Sequence, residues 1–354
     1  MRSGATISDV ADAAGVSRAT VSRVMNGGKV DPELTRRVRA AAARLSYRPS
    51  VTARSLSLGR TAAVGIVVPD LTNPMFQTVL RSVAAGAYDS GYSVVVAESA
   101  GRFDREAEIA RSTRARTDAL VLVSPRVGAD ELGELLADIE PVVMVNRSLP
   151  GSDIPAVSVD YSSGMVTVLE HLVGLGHRQV VYLTGPERSP SNIARLDGLG
   201  RVARAVGDVR ITTLPCGADL SDGYRLAHAV LATRATAVVA YNDQVAFGLL
   251  AHLHELGVDV PAELSVVGFD DIELASYATP ALTTVHVPYE AIGRRAWERL
   301  HERVAPRPAD AAAETGGTEI LPVHFVERLS TRRLAAPDGE PSARADVTSD
   351  AATV

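Results

Sequence analysis

The sequence is poor in cysteine and in aromatic rings: its 354 residues include one cysteine, Cys216, and 4% aromatic side chains. A single thiol excludes an internal disulfide and a cysteine-built zinc site, so Cys216 reads as ordinary packing. No stretch approaches the roughly 20 apolar residues of a membrane span. The opening MRSGATISDV also lacks the apolar core of a secretory signal, and a cytoplasmic chain without membrane contact is expected. Signatures of common enzyme sites are missing as well. No G-x-G-x-x-G follows a strand, and neither G-x-x-x-x-G-K nor G-x-S-x-G occurs. His252 and His254, two apart on a helical stretch, point to different sides, unlike an i, i+4 metal pair, and read as surface residues. Neither catalysis nor a metal or cofactor is expected.

What is present is a globular composition, 46% hydrophobic and 22% charged, long enough for two or three folding units. The net charge of −6 is unevenly placed: residues 1–60 carry +7 and the remainder −13. Such asymmetry suits a basic arm that meets a polyanion, although a solvated basic surface would give the same count. The motif within the segment decides between them.

In TISDVADAAGVSRATVSRVMNGG, Thr6 followed three residues later by Asp9 is a capping-box pattern that starts a short helix. Gly15 suits the left-handed backbone of a tight turn, and Ser17 is placed to cap a second helix. In that helix Val21, Val24 and Met25 form the inward stripe, whereas Arg18, Ala19, Ser22 and Arg23 face outward. A helix with such a face can enter a major groove, where arginine grips guanine and a small residue such as Ala19 allows close approach. Thr6, Ser17, Thr20, Ser22 and Asn26 read as caps and phosphate donors. A third helix begins at Asp31-Pro32-Glu33, with Val38, Ala41, Ala42 and Leu45 as its core stripe.

These residues resemble the DNA-binding headpiece of the LacI/GalR family of bacterial transcription repressors, and the resemblance continues through YRPSVTARSLSLGRT. It implies a hinge helix after Tyr47-Arg48-Pro49 and a minor-groove wedge at Leu56, a role open to an apolar side chain that unstacks a base step. Two departures stand out: Ser50 replaces a common asparagine, and the loop Asn26-Gly27-Gly28-Lys29-Val30 is one residue short.

Beyond Thr61, short apolar runs begin near Ala63, Tyr92, Ala119 and Pro141, then near Val180, Val209, Ala237 and Leu264, with helical stretches between. This alternation argues for two parallel sheets covered on both faces, hence two lobes. Ligands of open parallel sheets bind beyond the carboxyl ends of the strands. There the chain places Asp70 and Asn73, Asn146-Arg147, Asn242-Asp243 and Asp270-Asp271, groups that can hold the hydroxyls of a polyol. Caps of the following helices would use the same residue types.

LTNPMF, SVDYSSG, GPERSPSNIARLDG, AYNDQVAFG and VVGFDDIELASYATPALTTV resemble the ligand-binding core of the same family, which has the type I periplasmic-binding-protein fold. The resemblance thus runs from about Thr6 to Leu329. It implies effector contacts at Asn73, Phe76, Arg195, Asn242 and Asp270, with Asp70, Arg147 and Ser189 as weaker members; Asp243 and Asp271 cap helices. The segment from Gly198 to Asp219 is short for the family.

The expected architecture is a helix-turn-helix headpiece (1–48), a hinge (49–61), a two-lobed α/β effector-binding and dimerisation domain (62–330) and a disordered tail (331–354). The expected function is a repressor that binds a pseudo-palindromic double-stranded DNA operator as a homodimer, under the control of a carbohydrate effector. With Phe76 the one ring placed near the cleft, a sugar is favoured over a nucleobase. A transport protein of the same fold would need export and no basic headpiece.

Overall fold

We describe the structure from a computed structural model of the chain, over residues 5–25, 28–47, 60–305 and 316–334. Asn26 and Leu56, and with Leu56 nearly the whole of the expected hinge, lie outside the described residues.

The amino-terminal unit is three helices, α1 (Ile7–Ala14), α2 (Arg18–Met25) and α3 (Pro32–Arg44). Each begins where the sequence supplies a cap. Thr6 and Asp9 close the capping box of α1, Ser17 Oγ accepts from the Thr20 N–H at 3.2 Å, and Asp31 accepts from the N–H groups of Glu33 and Leu34. Between α1 and α2, Gly15 sits at φ 62°, and the Arg37 guanidinium donates to the Ala14 carbonyl at 2.6 Å, pinning the turn to α3. Val10, Val21, Val24 and Val38, all buried, close a core shared by the three helices.

The larger unit holds two parallel sheets. The first-lobe sheet contains β1 (Ala63–Val68), β2 (Ser93–Glu98), β3 (Ala119–Val123), β4 (Val142–Val145), β5 (Ala156–Val159) and β11 (Thr318–Leu321), in the order β11-β5-β4-β3-β1-β2. The second-lobe sheet contains β6 (Gln179–Thr184), β7 (Arg210–Pro215), β8 (Ala237–Ala240) and β9 (Ser265–Val267), in the order β7-β6-β8-β9. Every neighbouring pair within these sheets is parallel. Central strands β1, β3, β4 and β8 are buried throughout, which is why they read as unbroken apolar runs, whereas edge strands β2 and β7 are partly exposed.

All eight expected runs are strands. Two more strands of these two sheets were not anticipated: β5, four residues long, and β11, which arrives from the far end of the chain to pair with β5. The helix Tyr289–Val304 precedes β11 and packs its apolar face, including Ile292, Trp297 and Leu300, into the first-lobe core. The chain then returns: β12 (His324–Val326) pairs antiparallel with β10 (Thr284–His286), and Val266 N–H donates to Ser330 O. The lobes are therefore not consecutive stretches of sequence.

Two boundaries shift. Residues 331–334 do not behave as the tail expected from 331, since Arg332 N–H donates to Ser265 Oγ, Arg332 O is paired with the buried His177, and Leu334 N–H donates to Leu175 O. Thr61, placed in the hinge, is tied to the first lobe by two hydrogen bonds to Asp118 Oδ1, at 2.7 and 2.9 Å. His252 is half-buried and stacks on Tyr224 at 4.3 Å, so it is packing rather than free surface. Cys216 is packed as expected, and burial pushes its thiol up to about 12.

Candidate functional site

On α2, Arg18, Ala19 and Arg23 are exposed, and neither arginine forms an ion pair among the described residues. The inward stripe of Val21 and Val24 fixes which face is left outward. The stem of Arg23 runs beside Gly28, where a Cβ would lie 2.6 Å from Arg23 Cγ, so close packing limits the paths open to this arginine. Thr6 is committed locally: its hydroxyl donates to Asp9 Oδ2 at 2.8 Å and accepts from the Asp9 N–H. Ser17 and Thr20 share a 3.0 Å hydroxyl pair, and Ser22 is half-buried.

Between the lobes lies a cleft at the carboxyl ends of β1, β3, β4, β6, β8 and β9, where the order of each sheet reverses. Arg195, on the helix Pro190–Val206, is its centre. Only 2% exposed, its guanidinium carbon lies 4.5 Å from the Tyr161 ring centroid, 4.6 Å from Tyr241 and 4.1 Å from Phe269. Nη2 stands 3.6 Å from Asp270 Oδ1, while Nε and Nη1 have no hydrogen-bond partner.

Asp270 is itself buried and accepts from the Tyr289 hydroxyl at 2.6 Å. Burial pushes its carboxyl up to about 6, against the pull of Arg195 and of the Tyr289 hydrogen bond. Its backbone, at φ 118°, is a conformation that side chains other than glycine rarely take. Asp271 follows at φ 55° and turns away to Arg328, at 2.6 Å, and His286, at 3.1 Å. The two carboxylates diverge through this positive-φ backbone. Asp271 thus holds the β12 end of the chain rather than capping a helix. Asp243 is fully buried and accepts from Thr284 Oγ1 and Ile272 N–H, so it ties the 270 loop to α-helix Asp243–Glu255.

Seven of the eight anticipated residues, Asp70, Asn73, Phe76, Ser189, Arg195, Asn242 and Asp270, line one narrow cavity of about 40 Å³. Arg147 does not; it lines an adjoining cavity of about 630 Å³. Several of the seven already have structural duties. Asn73 Oδ1 caps the helix Pro74–Asp89 through Met75 N–H. Asn242 spends Oδ1 on Val245 N–H and Nδ2 on Ala218 O. Ser189 Oγ is 3.0 Å from the Tyr241 hydroxyl, and Asp70 Oδ1 accepts from Thr72.

Sequence reasoning missed Tyr161, Tyr241 and Tyr289, which share this cavity with Phe76, so the cleft is not short of rings. The faces of Tyr161 and Tyr241 toward Arg195 are, however, occupied by its guanidinium. It also missed the role of Asn146, named only as a post-strand residue: φ is 58°, the residue is 4% exposed, and neither Oδ1 nor Nδ2 has a partner. Its position directly after β4 was the available signal. Chemically, the cleft offers unpaired buried donors and acceptors beside a carboxylate, the equipment for holding a polar ligand rather than for transforming one. No group of three metal-ligating side chains occurs among the described residues, and no helix is long and apolar enough to cross a membrane among them.

Comparison with known proteins agrees with this division of the chain. The profile of bacterial regulatory proteins of the lacI family matches residues 6–50, and that of a periplasmic binding protein-like domain matches residues 169–331. The HTH-type transcriptional repressor PurR of Vibrio atlanticus (strain LGP32) is 33% identical over 347 residues, covering 93% of this chain and 99% of the relative. The HTH-type transcriptional regulator GalR of Escherichia coli (strain K12) is 34% identical over 335 residues, covering 92% and 97%. Among solved structures, the lac repressor dimer bound to operator and the anti-inducer ONPF superposes with a TM-score of 0.83 at 28% identity, over 93% of this chain and 100% of that one. A LacI family regulator of Enterococcus faecium with bound ribose gives 0.68 at 28% identity, over 77% and 100%.

Proposed function

Since the chain belongs to the LacI family of bacterial regulatory proteins, it is a DNA-binding transcriptional regulator and not an enzyme, and we propose that a sugar or sugar derivative controls its grip on DNA from the cleft around Arg195. It acts as a cytoplasmic homodimer on a pseudo-palindromic operator. Pairing two small headpieces on two half-sites gives a contact area that one headpiece lacks. Arg18, Ala19 and Arg23 meet base edges, with Ser17, Thr20, Ser22 and Asn26 on the backbone and Leu56 in the minor groove.

The observation that carries the effector reading is the set of unpaired polar atoms on Arg195 and Asn146, both at least nine-tenths buried. A buried donor without a partner costs about 1–3 kcal/mol, and ligand hydroxyls or carbonyls would supply the missing partners. The space between them, about 40 Å³, is far below the roughly 300–1,000 Å³ of a typical small-molecule site. A ligand therefore enters with a change in lobe spacing, and its effect on DNA follows from binding one spacing better than the other. The regulator of Enterococcus faecium with bound ribose supports a sugar, as does the commitment of the Tyr161, Tyr241 and Phe269 faces to Arg195 rather than to a stacked base.

The test is duplex selection with purified full-length protein, followed by anisotropy titration of the selected palindrome with and without a sugar panel. The expected result is a preferred palindrome whose affinity changes with one sugar class and loses that response in Arg195→Ala. No preference over random duplex would refute the regulator; an unaltered response in Arg195→Ala would refute the cleft assignment.

A further inference from the structure

Three arginines from both lobes converge at one mouth of the cleft. Arg126 follows β3, Arg147 follows β4 and Arg188 follows β6, and all three line the 630 Å³ cavity that adjoins the Arg195 pocket. The remaining polar side chains of the lining are Asn146, Ser148, Ser158, Tyr161 and Ser191, and no carboxylate belongs to it. A further cavity, which Asp270 also lines, is of mixed charge: Asp271, Glu273 and Glu290 stand in it beside Arg81, Arg294 and His286. Only the first of the two holds arginines with no carboxylate in its lining.

The guanidinium groups have capacity to spare. Among the described residues the Arg126 side chain makes no hydrogen bond or ion pair; its charge is felt by Glu106, buried behind the loop, and by Asp219. Arg147 spends Nη1 on the carbonyls of Pro125 and Val127, at 2.8 and 2.6 Å, and lines the cavity. Arg188, exposed, reaches from the second lobe over the first-lobe Phe103 ring at 4.5 Å. Pro190 and Ser191, the first turn of a 17-residue helix, add the positive end of its dipole. The unpaired amide of Asn146, 4% exposed, lines both this cavity and the Arg195 pocket and joins them.

We propose that the effector is an anionic sugar derivative, a phosphate ester or a sugar acid, whose charged group is clamped by Arg126 and Arg188 from opposite lobes beside Arg147, while its hydroxyls face Asn146, Arg195 and Asp270. This rests on the ligand-responsive reading above and names the class of ligand. Hydrogen bonds between guanidinium and an oxyanion are the strong, directional kind. An anion held by arginines of both lobes favours the closed spacing over the open one, which is what a controlling ligand must do.

The test uses full-length protein, wild type and Arg126→Gln/Arg188→Gln, in calorimetric titrations at fixed ionic strength. Probes are hexose 1-phosphates, hexose 6-phosphates, hexuronates, the neutral hexoses and inorganic phosphate. Arg147 is left intact because it braces the 125–127 loop, and Arg188→Gln alone, an exposed change, serves if the double variant is unstable. One anionic class binds wild type at least about 10-fold better than its neutral parent, and the double variant weakens it by about 100-fold, two charge-assisted contacts at about tenfold each. Which class binds tells phosphate from carboxylate. Equal binding by the variant, a neutral hexose that matches its ester, or the failure of every anionic probe on wild type would each overturn the proposal. Operator titrations on the same samples separate the two readings: a neutral compound that shifts operator affinity removes only the anion, and an arginine-dependent anion that leaves operator affinity unchanged removes only its regulatory role.

Discussion

Replacing Arg195 with methionine tests whether the cleft is held by a buried cation or merely lined by one. The side chain is 2% exposed, stacks on three rings and faces Asp270 across 3.6 Å. Removing one partner of a buried pair costs about 3–5 kcal/mol, because the other charge is left without compensation. Three desolvated cation–π contacts, each roughly 1–2 kcal/mol, are lost as well. Against this, Nε and Nη1 are already unpaired, and deleting them relieves about 1–3 kcal/mol per group. Methionine also refills much of the volume between the rings, and Asp270 can take up a proton while keeping its Tyr289 contact. The balance is a loss of about 2–4 kcal/mol, or very roughly 4–16 °C in melting temperature for a domain of this size. Thermal and urea unfolding of the full-length protein, followed by circular dichroism, measures it. Asp270→Asn in the same background should recover part of the loss, since no charge is then left stranded. If Arg195→Met melts with wild type, or Asp270→Asn adds its own full penalty on top, the pair does not hold the cleft and the reasoning fails.

Other perturbations read other parts of the molecule. Gly15→Ala places a Cβ at φ 62°, 2.8 Å from Arg37 Nη2, and should destabilise the headpiece by about 1–2 kcal/mol; amide exchange across Ile7–Met25 checks it, and unchanged protection would discount the turn. Arg18→Ala and Arg23→Ala should each weaken the selected operator by about 1–3 kcal/mol and relax base preference at one position, whereas an equal loss on every duplex would make them phosphate contacts only. Operator affinity should fall steeply between 50 and 200 mM salt, as release of counterions demands, and a flat profile would argue against phosphate contact. Asp270 has a carboxyl near 6 in the fold, above an unfolded value of about 3.9, so the stability it contributes is greatest at low pH and fades as pH rises through about 6. Melting temperatures of wild type and Asp270→Asn from pH 4.5 to 7.5 should therefore diverge in slope, and parallel curves would refute the shift.

Much of this could be read from residues in order. The headpiece was legible almost to the residue, because caps, a left-handed glycine and an i, i+3, i+4 stripe act within one or two turns of chain. The eight strands were legible because central parallel strands are apolar on both faces. β5 escaped notice because a four-residue strand leaves little pattern, and β11 because its pairing lies more than 150 residues back along the chain. The cleft was half legible. Asp70, Asn73, Ser189, Asn242 and Asp270 follow strands, but the sequence could not say which of them spend their polar atoms on caps. Asn242 does so on both its side-chain ends; Asn146 does so on neither.

Local pattern thus determined by itself that a basic three-helix unit precedes alternating strands and helices, since capping, turn and burial preferences need no distant partner. Tertiary structure alone decided that Tyr161, Tyr241 and Phe269, from three separate segments, enclose one guanidinium. It likewise decided that arginines of both lobes gather at one mouth of the cleft. Such encounters arise from the order of strands in two sheets and from a chain that returns to the first lobe, and no spacing along the sequence encodes the distance between side chains that only folding brings together.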